Sequence, residues 1–305
     1  MSKNIIEVSH YTQKYGSFKA VDDISFTVAE GSIFAFLGPN GAGKSTTINT
    51  LCTIQGRTEG VLKINGHDVA IEKDKVRSDI GIVFQESTLD NNLTVSENLR
   101  LHCDFYNVPV NEVAGRVDFV LELVDMQSWK KSRVKALSGG MKRRVEIARG
   151  LIHFPKILFL DEPTAGLDAQ TRASIWDYIR KLQKQKNITI FLTTHYMEEA
   201  EICDYVAIID HGRIAAYDTL YNLKEKLTSS TVRILIKESS DLESYLKDNS
   251  IPYREEENLF TFQTNETEKV LDIASRFKSV ITGFEVHKGT LNEVFLAITG
   301  KGVRI

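Results

Sequence analysis

Gly38-Pro39-Asn40-Gly41-Ala42-Gly43-Lys44-Ser45-Thr46 is the stretch on which the reading of this chain turns. Gly38, Gly43, Lys44 and Ser45 occupy the fixed positions of the spacing G-x-x-x-x-G-K-[ST]. The apolar run Ile33-Phe34-Ala35-Phe36-Leu37 leads in, and a helix-like run from Thr46 to Leu51 leads out. That strand–loop–helix context is what a phosphate loop requires. Glycines let the backbone curl until several N–H groups point at one anion. The helix N-terminus behind them adds partial positive charge. Lys44 can reach terminal phosphates, and the Ser45 hydroxyl can ligate Mg²⁺.

The 305 residues suffice for a sizeable core and two domains. A net charge of −3 provides no large electropositive field, so nucleic acid is not an expected partner. Cys52, Cys103 and Cys203 are odd in number and widely spaced, which suggests neither a zinc site nor a disulfide framework. The start, Met1 to Glu7, lacks an apolar signal core, and no run approaches the roughly 20 apolar residues of a membrane span. Any membrane role is therefore expected to be peripheral.

Residues 4–37 read as short strands, with Ile24, Phe26 and Val28 alternating with polar neighbours. Tyr15, followed by glycine, can stack on a base or simply be a core or surface tyrosine. Strands are expected at Val61 to Asn65 and Ile80 to Gln85. Gln85 is then either a ligand-side residue at a strand end or an ordinary polar terminator. From Thr94 the period turns helical, with Val113, Val117, Val120, Leu121 and Val124 on one face, and the segment from about Leu89 to Lys135 reads as all-helical. Ser138-Gly139-Gly140 before the helix Lys142 to Ile152 can be a second anion site, but alone it reads as an N-cap. Lys142, Arg143 and Arg144 read as a solvated helix face.

The run Ile157 to Leu160 suits a parallel strand buried on both faces, delivering Asp161 and Glu162 at its end. One carboxylate can hold Mg²⁺ and the other can orient a water. A further buried strand, Ile188 to Leu192, leads to His195, either a phosphate contact or a structural histidine. Val206 to Tyr217 reads as a hairpin. Composition shifts near Thr228 to Thr231, a plausible linker. Beyond it the order βαββαβ is that of a ferredoxin-like fold, closed by a helix from Leu291 to Ile298.

In combination these stretches resemble the nucleotide-binding subunit of ATP-binding-cassette transporters over residues 4–225. The resemblance implies an α/β P-loop NTPase cassette: a mixed sheet core, a strand-rich subdomain and an inserted helical subdomain at about 89–137. The cassette is expected over 1–227, with a small α+β ferredoxin-like accessory domain over 228–305. It implies that Tyr15 stacks the adenine, and that Lys44 with Gly38, Asn40, Gly41, Gly43, Ser45 and Thr46 holds the phosphates of ATP. Ser45, Gln85 and Asp161 would bind Mg²⁺, Asp161 through water. Glu162 would polarise the attacking water and His195 would contact the terminal phosphate. Ser138, Gly139 and Gly140 would serve the ATP of a second, head-to-tail copy, with Asp168 lining that interface. The segment Glu86 to Leu93 is where relatives receive a helix of the membrane partner.

Met141 stands where the family usually has glutamine, which removes an amide near the partner's nucleotide. The variant Leu137 to Arg144, with Thr290 to Leu296, resembles the export subgroup of the ABC-2, daunorubicin-resistance type. That subgroup pairs with a separate membrane permease chain, which places this subunit at the cytoplasmic face. Soluble cassette ATPases acting on ribosomes or DNA are the alternative. They usually carry two cassettes or a coiled-coil insertion, and this chain has one cassette and no sustained heptads.

Overall fold

The computed structural model describes residues 3–237 and 240–300; Met1 and Ser2, and the last five residues of the expected second domain, lie outside them. The chain divides into two units, Met1–Thr219 and Leu220–Ile305.

The first unit begins with β1 (Asn4–Tyr15) and β2 (Phe18–Ala29), two twelve-residue strands where short ones were expected. Repeated register shifts between them let the pair bend without ending. Next come β3 (Ile33–Leu37), α1 (Lys44–Leu51), β4 (Glu59–Ile64), β5 (His67–Asp68), α2 (Lys73–Asp79) and β6 (Ile80–Val83). The inserted helical region holds α3 (Val95–Phe105) and α4 (Val110–Leu123), followed by two short 3-10 turns. Residues 89–93 are not helical; α3 begins at Val95, capped by Thr94 in a capping box with Glu97, so the helical period expected from Thr94 matches its start. The unit ends with α5 (Gly139–Leu151), β7 (Ile157–Asp161), α6 (Ala169–Lys186), β8 (Thr189–Thr194), α7 (Met197–Ala200), β9 (Tyr205–Asp210) and β10 (Arg213–Thr219). His211 and Gly212, both at positive φ, make the two-residue turn of the last hairpin.

Six strands form the main sheet in the order β10-β9-β3-β8-β7-β6. All its pairings except β9–β10 are parallel. The β3 and β7 strands are buried along their whole length, as continuous apolar runs in a covered parallel sheet should be. A second, antiparallel sheet has the order β2-β1-β4-β5. Phe26 of that sheet meets Phe34 and Phe36 of β3, with ring centroids 5.5 and 5.4 Å away. Phe191 of β8 joins them, and this aromatic cluster holds the two sheets together.

The second unit opens with α8 (Leu220–Leu227), which packs with the last helix. The break in contacts thus falls before α8, whereas the composition shift used to mark the boundary falls after it. Then follow β11 (Ser230–Ile236), α9 (Ser240–Asp248), β12 (Tyr253–Glu256), β13 (Leu259–Thr264), α10 (Thr267–Arg276), β14 (Ile281–His287) and α11 (Leu291–Thr299). Its antiparallel sheet runs β12-β13-β11-β14, the strand order of a split βαβ arrangement. Val232, Ile234, Phe260, Phe262, Leu246 and Ile273 fill its own core.

Candidate functional site

Four neighbouring parallel strands, β3, β8, β7 and β6, release their chains at one edge of the main sheet. Strand direction alone therefore brings four loops to the same place. β3 delivers the glycine loop, β6 delivers Gln85, β7 delivers Asp161 and Glu162, and β8 delivers His195. β6 ends at Val83, two residues before Gln85, so Gln85 sits on the loop and is exposed there.

Gly43 is the N-cap of α1 at φ 106°, and a Cβ there would lie 2.6 Å from the Ala20 carbonyl oxygen. Only glycine fits that conformation and that space. Tyr15, Asn40, Gly41, Gly43, Lys44, Ser45, Thr46, Gln85 and Glu162 line one cavity of about 450 Å³. Phe18, unrecognised in the sequence, lines it too, and is register partner of Tyr15 at the tip of the β1–β2 hairpin. A paired aromatic at a hairpin tip beside a phosphate loop was the available signal. Tyr15 is half exposed and its hydroxyl donates to Gln55 Oε1 at 2.7 Å, leaving the ring face open.

The Lys44 ammonium is buried, donates to the carbonyls of Gly38 (2.8 Å) and Pro39 (3.1 Å), and stands 3.5 Å from Glu162 Oε1. Burial lowers its pKa, while Glu162 and Asp161 act in the opposite direction. Asp161 shows the complementary effect: burial raises its pKa, and a hydrogen bond from the Thr193 hydroxyl pulls it back. Gln85 Nε2 is 3.4 Å from Glu162 Oε2. His195 Nδ1 lies 3.1 Å from Glu162 Oε1, with no hydrogen bond of good geometry between them.

The donor set fits a nucleoside triphosphate with a hard divalent cation. The glycine loop and Lys44 line a cavity suited to phosphates, and Ser45, Gln85 and Asp161 each carry a side-chain oxygen able to ligate such a cation. Among the described residues no cluster of three His, Cys, Asp or Glu side chains could hold a metal unaided.

Ser138, Gly139, Gly140 and Asp168 are not part of this cavity. Ser138 caps α5, accepting from the Met141 N–H at 3.3 Å. With Gly140, Met141, Arg144, Gln170, Thr171 and Ser174 it lines a separate open hollow of about 260 Å³. Asp168 caps α6, accepting from the Thr171 N–H (2.9 Å) and hydroxyl (2.6 Å), and these bonds hold its carboxyl below the ordinary range.

One expectation is overturned. Arg143 does not lie on a solvated helix face; it is 6% exposed. Its guanidinium reaches the carbonyls of Phe84, Asp161, Glu162 and Pro163 and the carboxylate of Glu146. Three adjacent basic letters hide this, because helix rotation turns Arg143 inward while Lys142 and Arg144 stay partly exposed. Glu199 was also missed: buried in α7, it accepts from the Thr164 and Thr194 hydroxyls, and burial pushes its pKa up to about 7.

A family model described as ABC transporter matches residues 21–165. The chain is 33% identical to the daunorubicin resistance ATP-binding protein DrrA3 of Streptomyces coeruleorubidus, over 100% of this chain and 99% of that one. It is 35% identical to the Nod factor export ATP-binding protein I of Ralstonia nicotianae, over 99% and 96% of the two chains. Among solved structures, the dimeric ATP-binding cassette MJ0796 bound to ADP and Pi superposes with a TM-score of 0.63 and 27% identity, covering 70% of this chain and 98% of that one.

Proposed function

Because this chain belongs to the ABC transporter family, as an ATP-hydrolysing cassette of the export type, we propose that it works as a head-to-tail pair that powers a separate membrane permease. The observation that carries this reading is the meeting of Lys44, Gln85, Glu162 and His195 in one place, with Ser138 in another. A lone chain has a phosphate cradle and, elsewhere, a serine-capped helix N-terminus opening on a separate hollow. Two copies related head to tail complete each other's sites, so ATP binding favours the closed pair.

In the Lys44 cavity the loop amides and the Lys44 ammonium hold the phosphates, and the open face of Tyr15 receives the base. Ser45, Gln85 and Asp161 would hold Mg²⁺, which would supply neutralisation of phosphate charge. Glu162 orients the attacking water and takes its proton; Gln85 and His195 flank that carboxylate. Opening of the pair after hydrolysis turns the chemistry into motion. Among the described residues no helix is long and apolar enough to cross a membrane; likeness to export ATP-binding proteins supports a place beside the permease, on the cytoplasmic face. The cargo of the relatives differs, and selectivity is assigned to the permease.

The test is Glu162→Gln. ATP affinity should stay near that of the wild type while turnover falls by about two orders of magnitude or more. Wild-type turnover in a folded variant would overturn the assignment.

A further inference from the structure

We propose that Arg143, supported by Glu146, is the positioning residue that holds Gln85 and Glu162 in register for hydrolysis. The inference rests on the hydrolytic reading given above. A guanidinium has five N–H donors in a fixed fork. Here all five have acceptors. Nε–H donates to the Pro163 carbonyl at 2.6 Å. One terminal nitrogen donates to the Phe84 carbonyl and to Glu146 Oε2, the latter at 3.0 Å. The other donates to the carbonyls of Asp161 (3.1 Å) and Glu162 (3.2 Å). One side chain thus binds the backbone immediately before Gln85 and the backbone on both sides of Glu162.

Glu146 completes the brace. Its second oxygen accepts the Thr88 N–H at 3.2 Å. The Arg143–Glu146 pair therefore grips the Gln85 turn at both ends, through the Phe84 carbonyl and the Thr88 amide. Glu162 itself has φ 44°, in the left-handed region that non-glycine residues seldom occupy. Such a conformation persists only where surrounding contacts over-determine it. The Glu162 N–H is fixed by the Thr193 carbonyl at 3.1 Å, and its own carbonyl by Arg143. Arg143 stands on α5, whose capping residue is Ser138, so a displacement of that helix reaches Gln85 and Glu162 together. Arg143 touches neither Lys44 nor the glycine loop in any hydrogen bond among the described residues.

Arg143→Lys keeps the charge and has three donors in place of the planar five. The readouts are kcat, KM and equilibrium ATP affinity, with melting temperature to certify folding. We expect kcat to fall about tenfold or more while ATP affinity stays within about threefold. In the Glu162→Gln background the same substitution should lower residual turnover by less than about twofold, because both changes remove one step; an effect of equal size in both backgrounds would mark generic structural damage and overturn the proposal. So would a folded Arg143→Lys protein with kcat within about twofold of wild type. If Arg143→Lys does not fold, near-isosteric Glu146→Gln carries the test under the same criteria. Wild-type turnover by Glu162→Gln would sink the hydrolytic reading itself. A stalled Glu162→Gln beside a fully active Arg143→Lys would sink this inference alone.

Discussion

Glu199 shows how burial can outweigh partners at a single residue. Two threonine hydroxyls donate to its carboxylate and Arg172 and Trp176 face it, yet the pKa is pushed from 4.5 up to about 7, desolvation being the largest cause; Glu162 adds a smaller push in the same direction. Between those pH values the folded chain keeps a proton that the unfolded chain has released. The stability this gives is fully present below about 4.5 and is lost as pH rises through about 7. Glu199→Gln imitates the neutral form. Its stability relative to wild type should therefore grow between pH 5 and 8, by on the order of 3 kcal/mol. Urea denaturation at several pH values measures this, and a difference independent of pH would contradict it. Nothing in the sequence marked Glu199, since Glu198 beside it carries the same letter and is exposed. Arg143 escaped for the same reason. Lys44 stood out by its glycine spacing and Glu162 by the apolar run before it, whereas Gln85 and His195 were picked out only by the family resemblance.

Between elements, the contact of α5 with β6 sets how far Arg143 can reach. The two approach through glycines: a Cβ on Gly81 would lie 2.1 Å from the Gly150 carbonyl oxygen. Backbone cannot give way there as a flexible side chain would. Gly81→Ala should separate helix from strand, lower stability by about 1–3 kcal/mol and reduce kcat with it. Thermal unfolding and steady-state turnover check this, and an unchanged melting temperature would show that the gap closes harmlessly. Ser138 was readable as a cap, but the helix expected from Lys142 starts at Gly139, directly after that cap. The closeness of its approach was not readable, because a lone glycine in a strand pattern has several explanations.

For the whole molecule, the proposed head-to-tail pair would bring the Ser138 hollow of one copy to the Lys44 cavity of the other. Glu162→Gln protein with ATP and Mg²⁺ should double its mass in light scattering, and adding Ser138→Glu should keep it monomeric by placing a carboxylate where the partner's phosphates belong. A Ser138→Glu protein that still dimerises would refute the composite site. The second unit has its own sheet and core, and no candidate site residue lies in it.

Taken alone, the order of amino acids determined the local features: the phosphate loop, the apolar strands, the capped helices and the βαββαβ order after the cassette. Each depends on neighbours within a turn or a strand, so periodicity and residue type suffice to specify it. The tertiary structure alone decided which strand ends meet, that Arg143 turns inward, that Phe18 joins Tyr15 at the cavity, and that the second unit starts at Leu220. Those outcomes arise from pairing and packing between segments far apart in the chain, where the same letter is buried or solvated according to what folds against it.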